Sequence, residues 1–167
     1  MNHLGVENCP FCNTHVLDAE FAESENFRAI YNRAPILAGH SLVIPKRHVT
    51  SLMDLNELEL CEFVAFGRKS LKILLRAFDA RSFDWSIQEG KEAGQTVPHL
   101  HLHLIPRKPN DLARPGDWYS ELCKSQPGIL DSESRAKLTP DQMKEAVTNL
   151  RKIAEGLVTS NRDPFAS

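Results

Sequence analysis

Apolar residues recur along this chain at two spacings, and the change from one to the other marks its elements. "FRAIY" (27–31) and "SLVIP" (41–45) are short apolar runs on either side of the turn-like "RAPILAGH", which predicts a hairpin with a long loop. "SFDWSIQE" (82–89) alternates, with Phe83, Trp85 and Ile87 on one side, and "HLHLHLI" (99–105) alternates as well. Between these pairs the period lengthens. Leu58, Cys61, Ala65, Leu71, Leu74, Leu75 and Phe78 recur at helical spacing behind a capping-box pattern of Asp54 and Glu57. A second helix follows Thr139 as N-cap, with Pro140 in its first position, Gln142 closing the box, and a stripe of Met143, Ala146, Val147, Leu150, Ile153, Ala154 and Leu157. Residues 107–136, rich in Pro, Asp, Ser and Gly, read as a long surface loop. The order predicts an α+β fold, an antiparallel sheet with helices on one face.

Composition narrows the class. At 167 residues, 41% apolar and 25% charged, the chain suits a single folded domain with a real core. A formal net charge of -2 argues against a broad basic surface for nucleic acid. The first residues carry no secretory pattern, and no apolar run is long enough to cross a bilayer. Four cysteines, two of them isolated, do not make a disulfide framework, so the expected setting is reducing and cytoplasmic, without a membrane partner.

The alternation at 99–105 carries the candidate chemistry. Residues two apart on a strand lie roughly 6.5–7 Å apart on one face. His99, His101 and His103 therefore share a side, and Leu100, Leu102 and Leu104 share the side that helices would cover. β-Propensity alone would favour Thr, Val or charged residues over three histidines, so the polar side of an ordinary strand explains them poorly. A metal site or nucleophilic catalysis explains them better. Upstream, Gly94 permits close backbone approach, Gln95 and Thr96 add polar side chains, and successive backbone N–H groups there suit a phosphate.

"CPFC" places Cys9 and Cys12 at the spacing of half a zinc site. The missing ligands must be histidines: His3, His15, His48 and His99 are candidates. A local Cys9–Cys12–His15 site and two incidental buried cysteines are the competing readings. Among the remaining residues, Lys46 and Arg47 read as solvated charge, Arg107 as a possible neighbour of the substrate, and Cys61 as core. Trp118 and Tyr119 suit either base stacking or loop packing.

The pattern "HLHLHLI" resembles the histidine triad superfamily of nucleotide hydrolases and transferases. "YNRAPILAGHSLVIPKRHV" looks like that family's first strand pair, and "WSIQEGKEAGQTVPHLHLHLIPRK" is similar to its fragile-histidine-triad branch, the diadenosine polyphosphate hydrolases. The resemblance covers roughly residues 27–122. It implies one domain over 1–167, with an N-terminal arm (1–26), a long loop (107–136) and a C-terminal helix (139–158). It also implies a five-stranded sheet joined to ten strands in a homodimer, for which Phe63, Phe66 and Ile73 offer apolar surface. His101 would be the nucleophile on the α-phosphorus of a diadenosine tri- or tetraphosphate, forming a nucleotidyl-histidine that water cleaves to release AMP. His103 would bond phosphate oxygens and His40 would support the cluster. Gln88, Gly94, Gln95, Thr96 and Val97 would contact the phosphates, Asn32 the ribose, and Mg2+ would accompany the substrate. The fragile branch lacks the cysteine pair. Bacterial-type relatives carry it, and their pattern implies structural zinc on Cys9, Cys12, His48 and His99. A nucleoside phosphoramidate hydrolase, a nucleotidyltransferase or phosphorylase, and a nucleotide-sensing adapter remain open on the same site.

Overall fold

Phe27–Tyr31 and Ser41–Pro45 pair antiparallel over their full lengths, with Phe27 opposite Pro45 and Tyr31 opposite Ser41. In the computed structural model, which describes residues 8–122 and 135–159, these are β2 and β3 of a five-stranded antiparallel sheet. The others are β1 (Glu20–Glu23), β4 (Ser82–Ser86) and β5 (Leu102–Arg107), and the order across the sheet is β1-β2-β3-β5-β4. Among the described residues three helices accompany it: α1 (Glu57–Ala77), α2 (Trp118–Leu122) and α3 (Pro140–Thr159). β1 is too short to leave an alternation in the sequence; a tight turn, in which Ser24 N–H donates to Phe27 O at 3.0 Å, folds it onto β2.

α1 starts two residues later than its sequence pattern suggests. Asn56, not Asp54, is the N-cap: its side chain accepts from Glu59 N–H, and Glu59 accepts in return from Asn56 N–H at 3.0 Å. Asp54 instead ends a 3-10 turn, Leu52–Asp54. The second half of the helix buries Leu71, Leu74 and Leu75 as the spacing predicts, and the first half differs. Leu58 is 83% exposed and Cys61 is exposed, while Phe63, Phe66, Gly67, Leu71, Ile73 and Leu74 face inward. Gly67 explains this rotation, because a Cβ there would lie 3.0 Å from Leu102 Cδ2 and closer still to the Trp85 ring. Having none, the helix settles against β4 and β5 along that side. Phe63, Phe66 and Ile73 are thereby consumed by the chain's own core and offer no dimer surface. The cap of α3 is as expected: Thr139 N–H donates to Gln142 Oε1 and Gln142 N–H to Thr139 Oγ1.

The strand expected over 99–105 begins only at Leu102. Before it, Leu100 N–H donates to Val49 O, just beyond β3, so residues 99–101 run as an extended lead-in. Leu100, Leu102 and Leu104 are buried in the main cluster with α1 and α3, as the alternation predicts. The opposite face is covered too. Phe11, Val16 and Ala19 of the N-terminal arm pack on Ile30, Leu42 and Ile44. This arm buries the histidine side, where helices on one face alone would have left it open. Of the expected loop 107–136, residues 107–122 and 135–136 are described, with α2 inside it; 123–134 and the candidate ligand His3 lie outside the described residues. No helix among the described residues is long and apolar enough to cross a membrane.

Leu104→Ala, at a fully buried site, should lower unfolding free energy by about 2–5 kcal/mol. Asn56→Ala should cost about 1 kcal/mol through loss of the cap. Denaturant melts of both variants check the pair.

Candidate active site and metal cluster

The two ends of the 99–103 segment face different neighbours. His99, fully buried, turns Nδ1 toward the cysteines, 3.4 Å from Cys9 Sγ and 3.6 Å from Cys12 Sγ. His48 brings its Nδ1 to 3.3 Å from Cys12 Sγ. These four donor atoms all lie within 4.8 Å of one another. Ligand atoms about 2.0–2.3 Å from a tetrahedral ion are separated by roughly 3.3–3.8 Å, so the donor set has the size and chemistry of such a site. His99 Nε2–H donates to Pro45 O at 3.1 Å, which leaves the Nδ1 lone pair for a metal. Burial and the neighbouring Cys9 push the Cys12 thiol up to about 11. Two adjacent thiolates need a cation between them, and the cluster can hold one. His15 is absent from it; its side chain is solvent-exposed near Asp18.

His101 points elsewhere. Its Nδ1 lies 2.7 Å from the carbonyl oxygen of His99. A carbonyl only accepts, so Nδ1 carries a proton, and in the neutral ring Nε2 keeps its lone pair. The Phe11 ring, from between the two cysteines, packs edge-on against both His99 and His101 with centroids 5.6 and 5.5 Å away.

His103 is the end of a relay that fixes another tautomer. Ile36 N–H donates to His40 Nδ1 at 3.2 Å, so His40 holds its proton on Nε2. That proton goes to His103 Nδ1 at 2.9 Å, which leaves His103 with an Nε2–H donor. Burial drives both rings toward neutrality, His40 to about 3 and His103 well below the usual histidine range. His40 is fully buried, so it acts on a ligand only through His103. It enters β3 from Gly39, whose φ of +91° and lack of a Cβ beside Pro106 and Phe78 allow the turn.

A groove of about 1060 Å³ opens over these rings, and His101, His103, Asn32, Thr96 and Val97 line it. Ile30, Leu42, Phe11 and Val16 give it an apolar floor, and Arg135, Lys137 and Lys144 bring positive charge. Gln88, Gly94 and Gln95 are not on its wall. The Gly94 and Gln95 N–H groups are bound to Lys91 O and Gly90 O, and the Gln95 side chain accepts from Gly90 N–H. Of the residues expected to contact phosphate in this loop, Thr96 and Val97 reach the groove. Gln88 is buried, with its amide nitrogen on Ser86 Oγ at 2.7 Å. Arg107 is committed to Asp84 and Asp111 and braces β5 against its neighbours. The Tyr119 hydroxyl reaches toward Gly94, 3.7 Å from where a Cβ would stand there. The sequence reading missed Arg135, which comes from a stretch read as loop; a lone arginine there carries no periodic signal.

With this geometry the chain can be set beside known proteins. The family profile described as HIT domain matches residues 13–110. The bis(5'-nucleosyl)-tetraphosphatase (asymmetrical) of Schizosaccharomyces pombe is 45% identical over 98 residues, 59% of this chain and 54% of that protein. The bis(5'-adenosyl)-triphosphatase of Dictyostelium discoideum is 36% identical over 106 residues, 64% of this chain and 71% of that one. A zinc-bound histidine triad family protein from Mycobacterium smegmatis superposes with a TM-score of 0.65 at 29% identity, over 93% of this chain and 99% of its own. The chain spans about half the length of the S. pombe relative.

Purified protein should carry about one metal ion per chain. His48→Ala should lower that content sharply while His15→Ala leaves it unchanged, as elemental analysis of the dialysed variants will read.

Proposed function

This chain belongs to the HIT domain family, and from that membership we propose that it hydrolyses dinucleoside polyphosphates, diadenosine tri- or tetraphosphate, at the α-phosphorus. The observation that carries this reading is the 2.7 Å contact from His101 Nδ1 to the His99 carbonyl, which in the neutral ring leaves the lone pair on Nε2, with His101 on the wall of a groove of about 1060 Å³. In the proposed sequence, Nε2 attacks the α-phosphorus, a P–N bond forms, and the P–O bond to the remaining phosphates breaks. The departing phosphate oxygen keeps the electron pair. Water then attacks the same phosphorus, the P–N bond breaks, and AMP leaves with a proton released to solvent. Covalent catalysis thus divides one displacement into two.

The other residues take supporting roles in this reading. His103 donates its Nε2–H to a phosphate oxygen and His40 holds it in that tautomer. Thr96 and Val97 meet the phosphates, Gly94 and Gln95 hold the loop beneath them, and Gln88 stands by the departing group. Asn32 binds the ribose. We assign zinc to Cys9, Cys12, His48 and His99. Four protein ligands close its coordination, so its part is structural: it ties the N-terminal arm to the lead-in of β5. Mg2+ accompanies the substrate's phosphates. Ligand thiols that must stay reduced support a cytoplasmic setting. A homodimer with a ten-stranded sheet is supported by the position of β4 at the sheet edge and by exposed Phe83, Leu60 and Val64.

The reading predicts that His101→Asn lowers kcat by at least about a thousandfold while nucleotide binding persists. Near-normal turnover by that variant would sink it. Parallel assays with diadenosine triphosphate, diadenosine tetraphosphate and an adenosine phosphoramidate, with and without inorganic phosphate, should give the largest kcat/KM on a dinucleotide. Early quenching should show His101 carrying an added AMP mass.

A further inference from the structure

The rings around the reacting position bring donors and a lone pair, yet little fixed charge. His40 and His103 are driven toward the neutral form, first by burial. A nucleotide's α-phosphate is anionic, and charge builds on its outer oxygens as a nucleophile adds. Something beside the histidines must meet that charge in a half-buried groove, where it cannot be left to water.

Arg135 is placed for this. It lies beyond residues 13–110, which match the family, in the segment that leads into α3. Its Nε donates to Ala34 O at 2.9 Å, and three residues on, Leu138 N–H donates to Arg33 O at 2.9 Å. The segment is thus stitched to the backbone between Asn32 and His40. Arg135 is partly buried there and lines the groove with His101, His103 and Asn32. Its positive field reaches both His40 and His103 and further opposes their protonation. The groove's other cations are less suited. Arg151 is bound to the carbonyls of Leu17 and Glu20, and Arg33, Lys137 and Lys144 are exposed.

We propose that Arg135 is a substrate-contacting residue whose guanidinium pairs with a non-bridging oxygen of the α-phosphate beside His103. This rests on the nucleotide reading above. A guanidinium stays charged at any working pH, and its planar fork matches two phosphate oxygens where an ammonium meets one. The segment 135–138 therefore completes the site from outside the matched domain, and α3 acts as its anchor.

The test compares ligands with and without the phosphate, so it needs no turnover. AMP, adenosine and inorganic tripolyphosphate are titrated calorimetrically into the full-length wild type, Arg135→Gln and Arg135→Lys. Arg135→Gln should weaken AMP about 10- to 100-fold and leave adenosine within about twofold, since a hydrogen bond to a charged group is lost. Arg135→Lys should fall between wild type and Gln, and it carries the test if the Gln variant melts early. Unchanged AMP affinity overturns the proposal. So does an equal loss for AMP and adenosine, which would mean that Arg135 only packs the segment. If the wild type binds neither nucleotide nor nucleoside, the nucleotide reading fails separately. Tripolyphosphate then decides for Arg135: binding that the Gln variant loses keeps it as an anion contact, and no such loss, or no binding, ends it.

Discussion

One residue joins the two halves of this site. His99 presents one ring nitrogen to two cysteines, donates the N–H of the other to Pro45, and with its backbone carbonyl holds the proton of His101. Each contact constrains the next. If the ring shifts, the carbonyl shifts with it, and the tautomer of His101 is no longer held. The Cys/His cluster and the candidate nucleophile are therefore one mechanical unit, although the chemistry they suit is different. Phe11 reinforces it by touching both rings from between the cysteines.

Burial sets the electrostatics around that unit. An imidazole in a low-dielectric interior gives up its charge before it accepts the cost of desolvation. The chain Ile36 N–H, His40, His103 then settles into one arrangement of protons, because each acceptor leaves only one nitrogen as donor. Neutral rings are good donors and nucleophiles but poor counter-ions. In the proposed reading, that division is what calls for a cation from another part of the chain, and Arg135 lines the groove beside them.

The cover over the histidine side matters as much as the core beneath. Leu100, Leu102 and Leu104 pack with α1 and α3, as any amphipathic strand would. On the imidazole side, Phe11, Val16 and Ala19 of the arm pack on Ile30, Leu42 and Ile44 and help wall the groove, and Cys9 and Cys12 bring the arm's sulfurs to His99 and His48. A domain with helices on one face alone would have left these rings in water, with ordinary titration and weaker hydrogen bonds.

Local patterns were legible wherever the physics is local. The hairpin of 27–45, the alternation of leucines and histidines, and the Thr139–Gln142 cap could be read directly, because period and capping depend only on near neighbours. The grouping of Cys9, Cys12, His48 and His99 came from a family resemblance; spacing alone left His3 and His15 open as candidates as well. Only the folded chain decided the rest. Gly67 chose which side of α1 is buried, exposing Leu58 and Cys61, because its contacts with Trp85 and Leu102 are distant in sequence. The Gly90–Gln95 turn spent N–H groups that the sequence offered to phosphate. Arg135 entered the groove through backbone bonds to residues a hundred positions away. Periodicity reports which face of an element is apolar; what that face meets depends on contacts between residues far apart along the chain.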